Sequence, residues 1–329
     1  MKSAYKVISF VATLALLGGC GVIVDRRADT RAAAAEASYP PTGQFVTVNG
    51  QRVHAHVEGA GPDLVLIHGA SGNTRDFTFS FVERMKDNYR VIVFDRPGLG
   101  WSDRVSDEFS GAFTTAAESP LQQAAFLQAA ADQLGVSNPI VLGHSYGGAV
   151  ALAWGLSRPE DTAALVVLSG ASNPWPGGLG VLYGVASSAI GGATVVPLIA
   201  AFPPRGQVDG ALDSIFAPQS PPEGYADYIG SGLTLRRETL RANARQVNSL
   251  RPHVVEMSAR YSTLPMPVEI VHGTADDVVP IHIHSEPLAR QIPGAVLTRL
   301  EGIGHMPHHS APAAVAEAID RAAARARLR

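Results

Sequence analysis

Three residue types at three places in this chain have the chemistry of an activated nucleophile. Ser145 stands in Gly143-His144-Ser145-Tyr146-Gly147, a G-x-S-x-G pattern that closes the apolar run PIVLGH. A serine hydroxyl at its ordinary pKa attacks poorly, so it needs a base within hydrogen-bond reach and a third group to orient that base. Two carboxylates, Asp276 and Asp277, follow the apolar run PVEIVHG, and His305 follows AVLTRLEG in the segment IGHMPHH. The glycines around Ser145 also have a physical task. A strand that turns abruptly into a helix brings backbone close on both sides of the turn residue, and only near-zero side chains leave room for it. The hydroxyl then stands at a helix N-terminus, where developing negative charge is favoured.

These residues need elements that bring them together. QFVTVNGQRVHAHVEG alternates apolar residues on both sides of Asn49-Gly50, a strong hairpin signal. DLVLIHG and YRVIVFD are uninterrupted apolar runs, as expected of strands buried on both faces. A helix is expected over 121–134, then the strand PIVLGH, a helix over 146–157, and the strands ALVVLSG, PVEIVHG and AVLTRLEG. Strands alternating with helices imply an α/β protein with a mainly parallel sheet covered on both faces. The regularity breaks between Ala171 and Pro267, where glycine- and proline-rich pieces surround one amphipathic helix candidate over 235–250. A structureless loop of that size is improbable in a compact domain, so it reads as an inserted helical cap. The cap starts where a sheet strand ends, the edge at which parallel sheets hold ligands.

With the serine pattern, the two downstream motifs and the strand order assembled, the chain resembles the α/β-hydrolase superfamily over about residues 45–320. The resemblance implies Ser145 as nucleophile, Asp276 as acid, being the aspartate three residues after Gly273, and His305 as base; Asp277 is the rival for the acid role. It also implies an oxyanion hole from the N–H groups of Tyr146 and Ala70, since a tetrahedral oxyanion needs two aimed donors. The loop reads HGAS rather than HGGG, so the acyl pocket of three-glycine lipases is not implied. DRPGLGWSD resembles a further family block in which Asp and Arg are structural and the glycines form a tight turn. His68 and His272, each before a glycine at a strand end, read as structural, and His308 and His309 as surface or cap contacts. A zinc set from His282, His284, His308 and His309 lacks a carboxylate or cysteine to complete a familiar pattern. No cofactor is expected.

The reaction implied is hydrolysis of a carboxylic ester of a small, hydrophobic substrate through an acyl-enzyme. Serine members of this superfamily also cleave carbon–carbon bonds, open lactones or make peracids, and the core motifs do not separate these because cap and pocket choose the substrate. Related dehalogenases and epoxide hydrolases carry an aspartate at the elbow and are disfavoured by Ser145. A non-catalytic ligand-binding scaffold of another class would show damage to the triad or oxyanion loop, and every part is present. The cap aromatics Trp175, Tyr183, Phe202, Phe216, Tyr225 and Tyr228 suit an apolar or aromatic group, or the cap's own core.

The 329 residues are 46% hydrophobic and 17% charged with a net charge of −3, which fits a packed core and gives no basic stripe for nucleic acid. Residues 1–20 have the layout of an exported signal: Lys2 and Lys6, an apolar run over 7–17, then LLGGC. Leu17-Gly18-Gly19-Cys20 resembles a bacterial lipobox, in which Cys20, the only cysteine, becomes the lipidated first residue. The expected organisation is a signal over 1–20, a tether over 21–41, hydrolase core over 42–172, cap over 173–264 and core again over 265–329. The protein is then expected in the cell envelope, partnered by a small ester-like substrate and by a membrane through its anchor.

Overall fold

The computed structural model describes residues 21–204 and 206–328. Cys20 and the apolar run before it lie outside those residues. The stretch expected as a tether is helical over 21–38, here α1, and is packed onto the cap: Ala28 is buried against Ala200 and Ala201, and Arg27 Nε donates to the Ala201 carbonyl at 2.8 Å.

The chain then builds β1 (Gln44–Val48), β2 (Gln51–Glu58) and β3 (Asp63–Ile67), two short helices α2 (Arg75–Thr78) and α3 (Phe81–Met85), and β4 (Arg90–Phe94). Next come α4 (Pro120–Gln133), β5 (Ile140–His144), α5 (Tyr146–Ser157) and β6 (Ala164–Leu168). The cap carries α6 (Val181–Ser187), α7 (Ala189–Ala201), α8 (Gln207–Phe216), α9 (Tyr225–Tyr228), α10 (Ser231–Thr234) and α11 (Arg237–Ser258). The core resumes with β7 (Val268–Gly273), α12 (Ser285–Gln291), β8 (Val296–Leu300), α13 (Pro307–Ser310) and α14 (Pro312–Arg325). The helix expected over 235–250 runs eight residues further than its amphipathic pattern suggested, through an internal Pro252.

One eight-stranded sheet holds the molecule in the order β1-β2-β4-β3-β5-β6-β7-β8. The β1–β2 hairpin turns through Asn49 and Gly50, both at positive φ, which is the backbone an Asn-Gly turn of this type requires. From β4 to β8 all pairings are parallel. Alternate strand residues serve opposite faces: Val65, Val141, Val167 and Ile270 pack with α4 and α5, while Leu66, Leu142, Val166 and Val271 pack with α3 and α14. This double burial explains why the strands read as unbroken apolar runs. The register pairs Ile67 with Gly143, His144 with Leu168, and Gly273 with Leu300. The carboxyl ends of β3, β5, β6, β7 and β8 therefore share one edge, under the cap.

Candidate active site

Ser145 is the single residue between β5 and α5, with φ 55° and ψ −119°, a conformation that side-chain-bearing residues rarely adopt. Its amide donates to the Leu168 carbonyl at 3.0 Å, and its carbonyl accepts from Gly148 and Ala171, so neighbours on both sides hold the turn. A Cβ on Gly143 would stand 2.0 Å from the Gly147 carbonyl oxygen, and one on Gly147 2.2 Å from that of Ile67. Those contacts are impossible, which is the reason for glycine at both places.

Asp276 and His305 leave the ends of β7 and β8 and meet with His305 Nδ1 2.7 Å from Asp276 Oδ2. The other carboxylate oxygen accepts the amides of Val278 and Val279 at 2.9 and 2.8 Å. Asp277 points to solvent while Asp276 is buried, which separates the two aspartates. Burial pushes the Asp276 carboxyl up, but hydrogen bonds from His272 and His305 outweigh it and hold the group ionised, well below the ordinary range. His272 was read as structural and does more: Nε2 is 3.1 Å from Asp276 Oδ2 and 2.7 Å from the Val279 carbonyl, while Ser285 Oγ lies 2.6 Å from its Nδ1. With His305 Nδ1 facing Asp276, its Nε2 is the ring nitrogen left for the cavity that Ser145 and His305 both line.

The loop after β3 passes close to the serine. A Cβ on Gly69 would be 3.0 Å from Ser145 Cβ, and Ala70 lines the same cavity. Tyr146 is the first residue of α5, so its N–H has no carbonyl to bond inside that helix. Arg96, in the DRPGLG block, anchors this region: Nη1 donates to the Gly69 carbonyl at 3.0 Å, and the guanidinium lies 3.8 Å from the Tyr146 ring centre. Burial lowers Arg96 to about 10, still a cation at neutral pH. From the cap, Asn243 on α11 accepts the Ser71 amide at 2.7 Å and fixes the other side of the loop.

A second group of titratable side chains lies beside the serine. Asp76 on α2 is buried, and its Oδ1 accepts from Tyr225 at 2.8 Å, His308 at 3.1 Å and His309 at 2.9 Å. His308 and His309, read as surface or cap contacts, are in fact buried against α2; His309 does also pack against the cap rings of Phe216 and Tyr225. Burial lowers His308 to about 4, so at neutral pH it is an uncharged donor to an ionised Asp76. Burial also lowers His144 far below its usual value. Its Nε2 lies 2.8 Å from the His305 carbonyl, and its Nδ1, with no hydrogen-bond partner among the described residues, stands 4.0 Å from Asp76 Oδ2. No local sequence signal marks this group, because it is assembled from α2, β5, α9 and α13.

Asp76, His144 and His308 have ligand atoms within 4.8 Å of one another, the one metal-ready cluster among the described residues. It is not the histidine set weighed from the sequence. His282 is exposed, and His284 Nδ1 accepts the amides of Ser172 and Asn173, away from Asp76.

Ser145, His305, Asp76 and the oxyanion loop open into one cavity of about 360 Å³ beneath the cap. Val208, Leu212, Ile215, Ile229, Leu235 and Leu240 give it an apolar roof and wall. The cap aromatics divide: Tyr183 and Tyr225 line the cavity, Phe216 is buried beside it, and Phe202 is exposed on the outer surface.

Residues 64–318 match the family model described as Alpha/beta hydrolase family. An uncharacterised protein of Mycobacterium tuberculosis is 28% identical over 298 residues, 86% of this chain and 81% of its own length. The 2-hydroxymuconate semialdehyde hydrolase of Pseudomonas putida is 27% identical, covering 81% of this chain and 88% of its own. Among solved structures, an alpha/beta hydrolase fold protein from Burkholderia ambifaria superposes with a TM-score of 0.69 at 26% identity, over 84% of this chain and 97% of that one. With the serine elbow, the aspartate–histidine pair and the sheet in place, these likenesses converge: the chain belongs to the alpha/beta hydrolase family and is a hydrolytic enzyme.

Proposed function

We propose that the enzyme hydrolyses carboxylic esters with a hydrophobic acyl group through an acyl-serine intermediate. The observation that carries the reading is Ser145, held at positive φ at the start of α5 in the same cavity as a His305–Asp276 pair 2.7 Å apart. Ser145 Oγ attacks the ester carbonyl while His305 Nε2 takes its proton. The Tyr146 and Ala70 amides receive the developing oxyanion, worth about 3 kcal/mol of barrier per donor. His305 then returns the proton to the leaving alcohol, and water activated by the same nitrogen clears the acyl group. Asp276 keeps its negative charge throughout and fixes the ring with Nδ1–H toward itself.

The six aliphatic residues of the cavity favour an apolar acyl chain over a charged one, because they offer an ionic group nothing to replace its water. Cys20 is read as the lipidated end of the exported chain, holding the enzyme in the cell envelope.

The full-length enzyme treated with a fluorophosphonate should carry one adduct, on Ser145, by peptide mass spectrometry. Ser145→Ala should abolish it and His305→Ala should slow it by about 10³-fold or more. A folded wild type that takes no adduct refutes the nucleophile assignment.

A further inference from the structure

Residues 162–204 contain no Asp, Glu, Lys, Arg or His. Part of that run is the buried strand β6, but the rest forms α6 and α7 on the outside of the cap. Val181 is 83% exposed and Ile190 75%, and Leu182, Leu198 and Phe202 are each about half exposed. Ile190, Thr194, Leu198 and Phe202 follow one another at intervals of four, so they form a single stripe along α7. Thr194 turns its hydroxyl back to donate to the Ile190 carbonyl at 2.8 Å, so the donor of the stripe's one polar group is satisfied within the helix. A water-facing cap has no use for such a surface.

The N-terminal segment says what covers it. Cys20 immediately precedes α1, and α1 is not free to swing. Its Arg27 guanidinium lies 4.7 Å from the centre of the Phe202 ring, Ala28 packs on Ala200 and Ala201, and Asp25 and Asp29 both pair with Arg237 of α11. Farther along, Arg236 donates to Glu36 at 2.9 Å. With Cys20 read as the lipidated first residue, its acyl chains enter a membrane, and since one residue spans at most about 3.6 Å that membrane must lie against the first turn of α1. That turn exposes Val22 and Ile23, with Arg26 exposed one turn on to meet lipid phosphate. Because α1 is fastened to the end of α7, the same bilayer meets the apolar stripe. Together α6 and α7 have the length and apolarity of a spanning helix but are bent by 109°, a shape for lying in the interface rather than crossing it.

We propose that the outer face of α6 and α7, with the first turn of α1, docks into the surface of a lipid bilayer. The enzyme then takes its substrate from that layer. The second clause rests on the ester-hydrolase reading, and the cavity supports it: its wall includes Tyr183 of α6 and Pro203, the neighbour of exposed Phe202.

The test uses the full-length protein in vesicles of phosphatidylethanolamine and phosphatidylglycerol. Ile190→Cys, Leu198→Cys and Asp87→Cys are each labelled with an environment-sensitive dye, wild type reporting any reaction at Cys20. Asp87 is exposed beside the amino end of β4, at the opposite edge of the sheet. Dyes at 190 and 198 should shift to shorter wavelength and be quenched by lipids carrying a nitroxide on the acyl chain, and the dye at 87 should do neither. All three in water, or a shift at 190 and 198 without quenching by lipid, overturns the assignment; the latter means a second protein surface covers the stripe. For the substrate route, Ile190→Glu with Leu198→Glu should lower cleavage of a long-chain ester held in the vesicles by about tenfold or more, while a short water-soluble ester is cleaved as before. Equal rates on both substrates overturn that route. Failure of the wild type to cleave any ester refutes the ester-hydrolase reading instead, and the dyes still decide the docking.

Discussion

At the residue scale, chemistry here depends on which of two adjacent carboxylates faces inward. Asp276 and Asp277 are equivalent in type and nearly so in position, and only the turn after β7 separates them. Asp276 receives four donors, two backbone amides and two imidazoles, and desolvation strengthens each of them. Asp277 is exposed and has no part in that network. Asp276→Asn should lower kcat/KM by roughly 10³- to 10⁴-fold, because an amide in that place no longer holds the His305 tautomer. Asp277→Asn should stay within about twofold, as surface substitutions do. Steady-state kinetics on a short-chain ester decide it, and the reverse ranking would move the acid role to Asp277. The motif spacing already favoured Asp276. It was blind to His272 as a second donor to the same oxygen, because its place before Gly273 speaks only of a strand end.

At the element scale, the strand-to-helix turn is where sequence and packing coincide most closely. Gly147→Ala drives a methyl to within 2.2 Å of the Ile67 carbonyl on the neighbouring strand, where neither backbone has room to retreat. It should cost at least about 2 kcal/mol and slow fluorophosphonate labelling with it. Gly210→Ala, in α8 with open space around it, should be neutral or stabilising by up to about 1 kcal/mol. Urea unfolding of the two variants makes the comparison, and equal stabilities would mean the elbow tolerates a side chain. The contrast also shows what was legible. Strands buried on both faces announce themselves as apolar runs, and the glycines they need at close approaches appear as motifs, so β3 to β7 and the site edge could be read directly, while the less buried β1 and β2 showed through their alternation around Asn49-Gly50. The cap reads as helical, but the bounds of α6 to α10 do not, since α6, α9 and α10 are short and the cap helices take their positions from tertiary contacts such as Arg241 of α11 donating to the Gly192 carbonyl of α7. Nor could Asp76, His144 and His308 be read as a group, for they come from three elements with unrelated local patterns.

At the scale of the whole molecule, the same burial that assembles the site makes folding sensitive to acid. His68, His284 and His308 are fully or almost fully enclosed, and desolvation lowers each from an ordinary 6.5 to about 4. Above about pH 6.5 each is neutral in both folded and unfolded chains, so it adds no pH dependence. Between 6.5 and 4 the unfolded chain binds protons that the folded one refuses, so stability must fall as pH falls through that window. Each histidine can remove up to about 3 kcal/mol by pH 4, against a total stability of about 5–15 kcal/mol for a typical domain. Asp76 and Asp276, held ionised in the fold, add a loss of the same sign at still lower pH. Chemical denaturation from pH 8 downward should therefore give a level midpoint above neutrality and a steep fall between about pH 6 and pH 4.5. A midpoint that stays level to pH 4.5 would mean that these imidazoles reach water in the folded enzyme, and with them the packing of α2, α12 and α13 around the site.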